Sequence, residues 1–325
     1  MKNHLAIIAF VAALATLGSM NQLKAQKSNH LIATEATIPA GNTTLYTRAV
    51  GKGTPVIVLH GGPDFDHSYL LPELDELAGK KFRLIYYDQR GRGKSAENVR
   101  PEDVSLASEL DDISRVLNFY RLDRAVLLGH SWGAALALEY ALRNPTRVSK
   151  LILMNPAPVS TTDLAAVRKK YLERLGPAMD RQREIVKSAE YQSGEPSAVA
   201  ARYRIHFQPS LKRLDDYEKM MARMKAAFES QGKAGIVKAR AVEDRLMGDT
   251  WDQPGYDLLR KLRRMRTPTL VIAGDHDFMA GAAESIAAAI PGSISLTARD
   301  CGHFAFMECA EQVRRPLEKF GRSKK

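Results

Sequence analysis

Gly129-His130-Ser131-Trp132-Gly133 follows directly on Ala125-Val126-Leu127-Leu128. The four apolar residues form a short, turn-bounded run of the kind that fills a buried parallel strand. Gly133 to Leu142 is rich in Ala and Leu and reads as a helix. A strand, a sharp turn and a helix, with G-x-S-x-G at the turn, presents the serine hydroxyl at the end of the strand. The glycines let such a turn close tightly. The stretch therefore predicts a nucleophilic Ser131 rather than an ordinary glycine-rich connection.

Leu31 to Pro39 and Thr43 to Ala49 alternate enough to pair as a hairpin about Ala40-Gly41-Asn42. Pro55 to Leu59, Phe82 to Tyr87, Val148 to Met154, Thr269 to Ala273 and Ser293 to Thr297 are further strands, and Leu106 to Tyr120 has helical periodicity. Strands alternating with helices imply an α/β fold: a mostly parallel central sheet with helices on both faces. The alternation stops between Thr161 and about Thr250, where helix formers dominate, broken near Gly176-Pro177, Ser193 to Pro196, and Gly232. This predicts a helical cap over residues 157–255, inserted between core segments 31–156 and 256–321. The last helix is expected from about His303 to Phe320. Ligand sites in such sheets lie beyond the carboxyl ends of the strands.

The chain has 325 residues, 45% of them hydrophobic, enough for one large domain with an insertion. A basic start and an apolar run from Leu5 to Met20 resemble a secretory signal peptide ending near Ala25. The expectation is an exported protein, periplasmic or secreted. An uncleaved membrane anchor is the alternative, although the run is short of the roughly 20 residues a span needs. The formal charge is +11. The excess is spread over predicted helices, most of it between Ser160 and Arg266, without a basic block interleaved with aromatics. Solvated helix faces explain it as well as an anion-seeking cap does, and no nucleic-acid partner is expected. Two cysteines, Cys301 and Cys309, are too few for a disulfide framework. A continuous helix from His303 would turn their side chains apart, so free thiols are expected, with pairing open in an oxidising compartment.

A serine hydroxyl is a poor nucleophile unless a base takes its proton and an acid orients that base. Two acids, Asp275 and Asp277, follow the Thr269 strand, and His303 follows the next strand. The other histidines fit the base role less well: His60 and His67 precede the serine, His206 lies in the cap, and His130 adjoins Ser131 too closely to reach round to its hydroxyl. The negative oxygen formed at an attacked carbonyl needs two fixed donors. The Trp132 amide is one, and the Gly62 amide of His60-Gly61-Gly62-Pro63, another loop at a strand end, is the second.

Together these pieces resemble the α/β-hydrolase fold across Leu31 to Phe320, and within it the proline iminopeptidases (peptidase family S33). His60-Gly61-Gly62-Pro63 is similar to their HGGPG, Asp88 to Ser95 to their DQRGxGxS, and the Ser131-Trp132-Gly133 turn to their GGSWG. The resemblance implies the order serine, acid, histidine. It favours Asp277, at a G-x-x-D position, as the acid, with Asp275 the alternative. Asp64 and His130 depart from the family's glycines. Those enzymes bind a free N-terminal amine through cap glutamates, one in a WxxWE-like motif that this cap lacks. Glu243 is the nearest substitute.

The sequence thus predicts a serine hydrolase with Ser131, His303 and Asp277 as its catalytic set and no metal or organic cofactor. Its substrates are expected to be short peptides or other small molecules. The resemblance implies a prolyl aminopeptidase. The alternatives are a carboxylesterase or lactonase acting on small esters, and a non-catalytic binder on a hydrolase scaffold. No lasting membrane insertion is expected once the signal is removed.

Overall fold

The computed structural model describes residues 32–79 and 81–322. The expected signal segment, residues 1–25, lies outside them. Eight strands, β1 (Thr34–Ala40), β2 (Thr43–Gly51), β3 (Thr54–Leu59), β4 (Phe82–Tyr87), β5 (Ala125–His130), β6 (Val148–Met154), β7 (Thr269–Gly274) and β8 (Ile294–Ala298), form one sheet in the order β1-β2-β4-β3-β5-β6-β7-β8. β1 and β2 are the antiparallel hairpin, β2 pairs antiparallel with β4, and the pairings from β4 to β8 are parallel.

Strand alternation divides the core. Val56, Val58, Val126, Leu128, Ile152 and Ile272 point to one face of the sheet. Ile57, Leu59, Leu127, Leu151, Leu153 and Val271 point to the other, against α1 (Leu106–Phe119) and α2 (Trp132–Arg143). Both faces are buried, which is why these strands read as unbroken apolar runs.

Between β6 and β7 the chain is helical: α3 (Thr161–Leu175), α4 (Ala178–Lys187), α5 (Ala189–Gln192), α6 (Pro196–Phe207), α7 (Leu214–Asp249) and α8 (Leu259–Leu262). Gly176 ends α3 at φ 51°, and Gly232 breaks α7 with φ 67° and ψ 171°, both in conformations that glycine adopts without strain. Among the described residues no helix is long and apolar enough to cross a membrane.

After α9 (Ala280–Ala289), the expected single terminal helix is instead two, α10 (Ala305–Glu308) and α11 (Ala310–Arg322). The break corrects the expectation of free thiols. Cys309 leaves helical geometry at φ −137° and ψ 44°, so its side chain turns back, and Cys301 and Cys309 form a disulfide with their Cα atoms 6.1 Å apart.

Candidate active site

Ser131 sits at the apex of the β5–α2 turn with φ 53° and ψ −119°, a backbone strain of the kind found at functional sites. Its flanking glycines are required sterically. A Cβ on Gly133 would lie 2.1 Å from the Leu59 carbonyl oxygen, and one on Gly129 would lie 2.3 Å from that of Gly133. The strand, turn and helix thus pack closely enough to force the hydroxyl outward.

His303 follows β8, and Asp277 follows β7. His303 Nδ1 lies 2.8 Å from Asp277 Oδ2, and both side chains are buried. The same carboxylate oxygen accepts from Asn155 Nδ2 at 2.9 Å, and Oδ1 accepts from the Met279 amide at 3.0 Å. Burial alone would raise the Asp277 pKa. The His303 ring and these donors outweigh burial and hold it below the usual carboxylate range. Asp275, the alternative acid, is exposed; it accepts from the Cys301 amide at 3.3 Å and fixes the turn.

His130 does not act toward Ser131. Its Nδ1 meets Tyr69 Oη at 2.7 Å, and its Nε2 meets the His303 carbonyl at 2.9 Å. Tyr69 Oη in turn accepts from the Gly61 amide at 2.8 Å, so its proton faces His130 Nδ1, and Nε2 carries the ring proton. Burial, reinforced by His303, pushes His130 down to about 3 and keeps it neutral. The residue at this departure from the family pattern therefore ties the Gly61 loop to the His303 loop.

That link also separates the two glycine amides. Gly61 is committed to Tyr69, whereas the Gly62 and Trp132 amides meet no protein acceptor among the described residues. Gly62 has φ 120°, and a Cβ there would lie 2.3 Å from the Asp64 nitrogen. The loop is braced from below. The Gln89 amide donates to His60 Nε2 at 3.0 Å, Arg92 pairs with Glu109 through two 2.9 Å bonds, and Arg90 pairs with Asp112. Asp88-Gln89-Arg90-Gly91-Arg92 is thus a scaffold that fixes the first loop to β4 and α1.

A cavity of about 140 Å³ opens over Ser131, lined also by Gly62, His303, Phe207, Trp251 and Met279. Three ionisable residues reach it: Asp64, Glu243 and Arg202. Asp64 accepts from the Tyr203 hydroxyl, and burial raises its pKa. Glu243, from α7, is pushed up to about 8 by burial and then by the Asp64 charge. Arg202 lies over the Tyr203 ring at 4.3 Å, and its Nε has no partner among the described residues. In the sequence Asp64 stands out only as a departure from the family's glycine, and nothing marks Arg202 or Tyr203 as part of a site. Only Asn155, directly after β6, carried a signal: its place at a strand end.

The chain belongs to the α/β-hydrolase fold family, whose model matches residues 54–310, and it is a hydrolase. It is similar to the proline iminopeptidase of Heyndrickxia coagulans, with 31% identity over 236 residues covering 70% of this chain and 76% of the relative. Among solved structures, a proline iminopeptidase-related protein of Thermus thermophilus superposes with a TM-score of 0.69 at 22% identity, covering 89% of this chain and 97% of that one. An esterase of Thermogutta terrifontis does so with a TM-score of 0.64 at 24% identity, covering 88% and 97%. These two share the fold.

Proposed function

We propose that this protein is an exported serine hydrolase that cleaves small substrates through an acyl-enzyme, with a free amine on the acyl side as its preferred recognition group. Ser131 Oγ attacks the substrate carbonyl carbon, and His303 Nε2 takes the hydroxyl proton. The Gly62 and Trp132 amides hold the oxygen that becomes negative. His303 then protonates the leaving group as its bond to the acyl carbon breaks. Water, deprotonated by His303, releases the acid and restores Ser131. Asp277 keeps the Nδ1 proton in place and stabilises the charged ring.

The observation that carries the amine reading is the pair Asp64 and Glu243, which share the cavity with Ser131. Two carboxylates crowded in a buried space cannot both ionise cheaply, and burial together with this crowding keeps the proton on Glu243. An ammonium group entering between them relieves the conflict. Asp64, contributed by the first loop, takes the part of a second acid that the cap lacks. The similarity to the Heyndrickxia coagulans proline iminopeptidase supports the same reading. The Cys301–Cys309 disulfide supports export, because such bonds persist in oxidising compartments.

Arg202 favours a second reading, an esterase or lactonase, since a guanidinium in the same cavity offsets the carboxylate charge. A substrate panel separates the two. Prolyl and alanyl arylamides cleaved faster than their N-acetylated forms support amine recognition. Rapid hydrolysis of short acyl esters or lactones without arylamidase activity rejects it and leaves the serine mechanism standing.

A further inference from the structure

A second cavity, much larger than the one over Ser131, lies at the opposite rim of the sheet, at the amino ends of β5, β6 and β7, and holds about 850 Å³. Arg124, Arg143, Arg260, Lys261, Arg264 and Arg266 line it, against a single acid, Glu139. Arg143 pairs with Glu139 at 3.4 Å and Arg260 with Asp257 at 3.6 Å. Arg124, Lys261, Arg264 and Arg266 make no ion pair among the described residues.

The fold creates this concentration from the run Arg260-Lys261-Leu262-Arg263-Arg264-Met265-Arg266. Leu262 is fully buried and Met265 is 5% exposed, so the two apolar side chains anchor the segment in the core and leave Arg260, Lys261, Arg264 and Arg266 on its exposed side. Leu142, Val148 and Pro268 add apolar wall. Cations gathered in a concave surface with low-dielectric walls focus their field on whatever enters. Guanidinium groups match the oxygens of a phosphate bidentately. The volume and the number of cations exceed what one carboxylate needs.

We propose that this cavity is a second binding site, separate from the one over Ser131, for a phosphate-bearing anion. The ligand is either a free polyphosphate-type anion or the headgroup of an anionic phospholipid at a membrane surface. Because Ser131 lies beyond the carboxyl ends of the same strands, an anion here leaves the catalytic cavity open.

The test uses the full chain. Tripolyphosphate is titrated by calorimetry at low salt, and sedimentation is measured with phosphatidylglycerol–phosphatidylcholine vesicles beside pure phosphatidylcholine vesicles. At least one of the anionic probes should bind, binding should weaken steeply with salt, and the double variant R264E/R266E should lose tenfold or more in affinity while substrate turnover stays unchanged. Binding of tripolyphosphate alone marks a free anion, and binding of anionic vesicles alone marks a headgroup. Should the double variant misfold, R124Q/R266Q provides the milder comparison. No binding of either anionic probe at low salt, undiminished binding by the variants, or tighter binding of duplex DNA than of both anionic probes overturns the proposal.

Discussion

Cys301 is disulfide-bonded to Cys309, and the loop they close carries His303 and Glu308. Glu308 Oε1 accepts from the Gly302 amide at 3.0 Å and the Phe304 amide at 3.3 Å, on either side of His303. A covalent tie and a buried carboxylate thus hold the same few residues. A loop this short is worth about 2.5 kcal/mol by chain entropy. The expected outcome of reduction, or of Cys301→Ser with Cys309→Ser, is a lower melting temperature and a lower kcat with KM little changed. Melting curves and kinetics with and without reductant check this; equal curves and equal kcat would show that the disulfide does not support the His303 loop.

Asp277 and Asp275 are separated by a substitution at each. Asp277→Asn replaces the acceptor of the His303 Nδ1 proton and places an amide against the Asn155 donor. It should lower kcat by about 10⁴-fold, as loss of the orienting carboxylate does in related chemistry. Asp275→Asn, which touches only the turn, should leave kcat within about threefold, since surface changes of this kind are usually small. The reverse pattern would transfer the role to Asp275.

Gly62→Ala should abolish most turnover without unfolding the protein. The added Cβ meets the Asp64 nitrogen at 2.3 Å, so the loop must move and take its amide away from the carbonyl oxygen. A fall in kcat of about a hundredfold or more is expected from loss of one such donor. Retained activity in a folded variant would assign the second donor elsewhere.

Amine recognition has a signature in protons. Glu243, with a pKa of about 8, is mostly protonated at neutral pH and ionises as pH rises through that value. An ammonium group favours its charged form, so binding at pH 7 should release protons. Correspondingly, KM for a prolyl arylamide should fall as pH rises toward 8. Calorimetry in buffers of different ionisation enthalpy measures the release. Glu243→Gln should remove both effects, and a KM unchanged by this substitution would exclude Glu243 from the amine site.

Much of the fold was legible because each buried strand announces itself as an apolar run ending at a turn with chemistry on it. Ser131 and Asp277 fall just past such ends, and His303 follows β8, a shorter and mostly exposed strand. The breaks at Gly176 and Gly232 were legible because glycine interrupts helix formers. The Cys301–Cys309 pairing was not, since the helical pattern continues through Cys309 and gives no sign that the backbone leaves helical geometry there. The Asp64, Arg202 and Glu243 cluster was hidden for a different reason. Its members come from a loop and two helices far apart in sequence, and only the packing of α6 and α7 over the first loop brings them to one cavity.

The most direct measurement is labelling of the folded protein by a fluorophosphonate, followed by mapping of the adduct. One covalent adduct is expected on Ser131, absent in Ser131→Ala, whose turnover should fall by roughly four to six orders of magnitude. Failure of the native protein to label, or an adduct on another residue with turnover retained in Ser131→Ala, would contradict this.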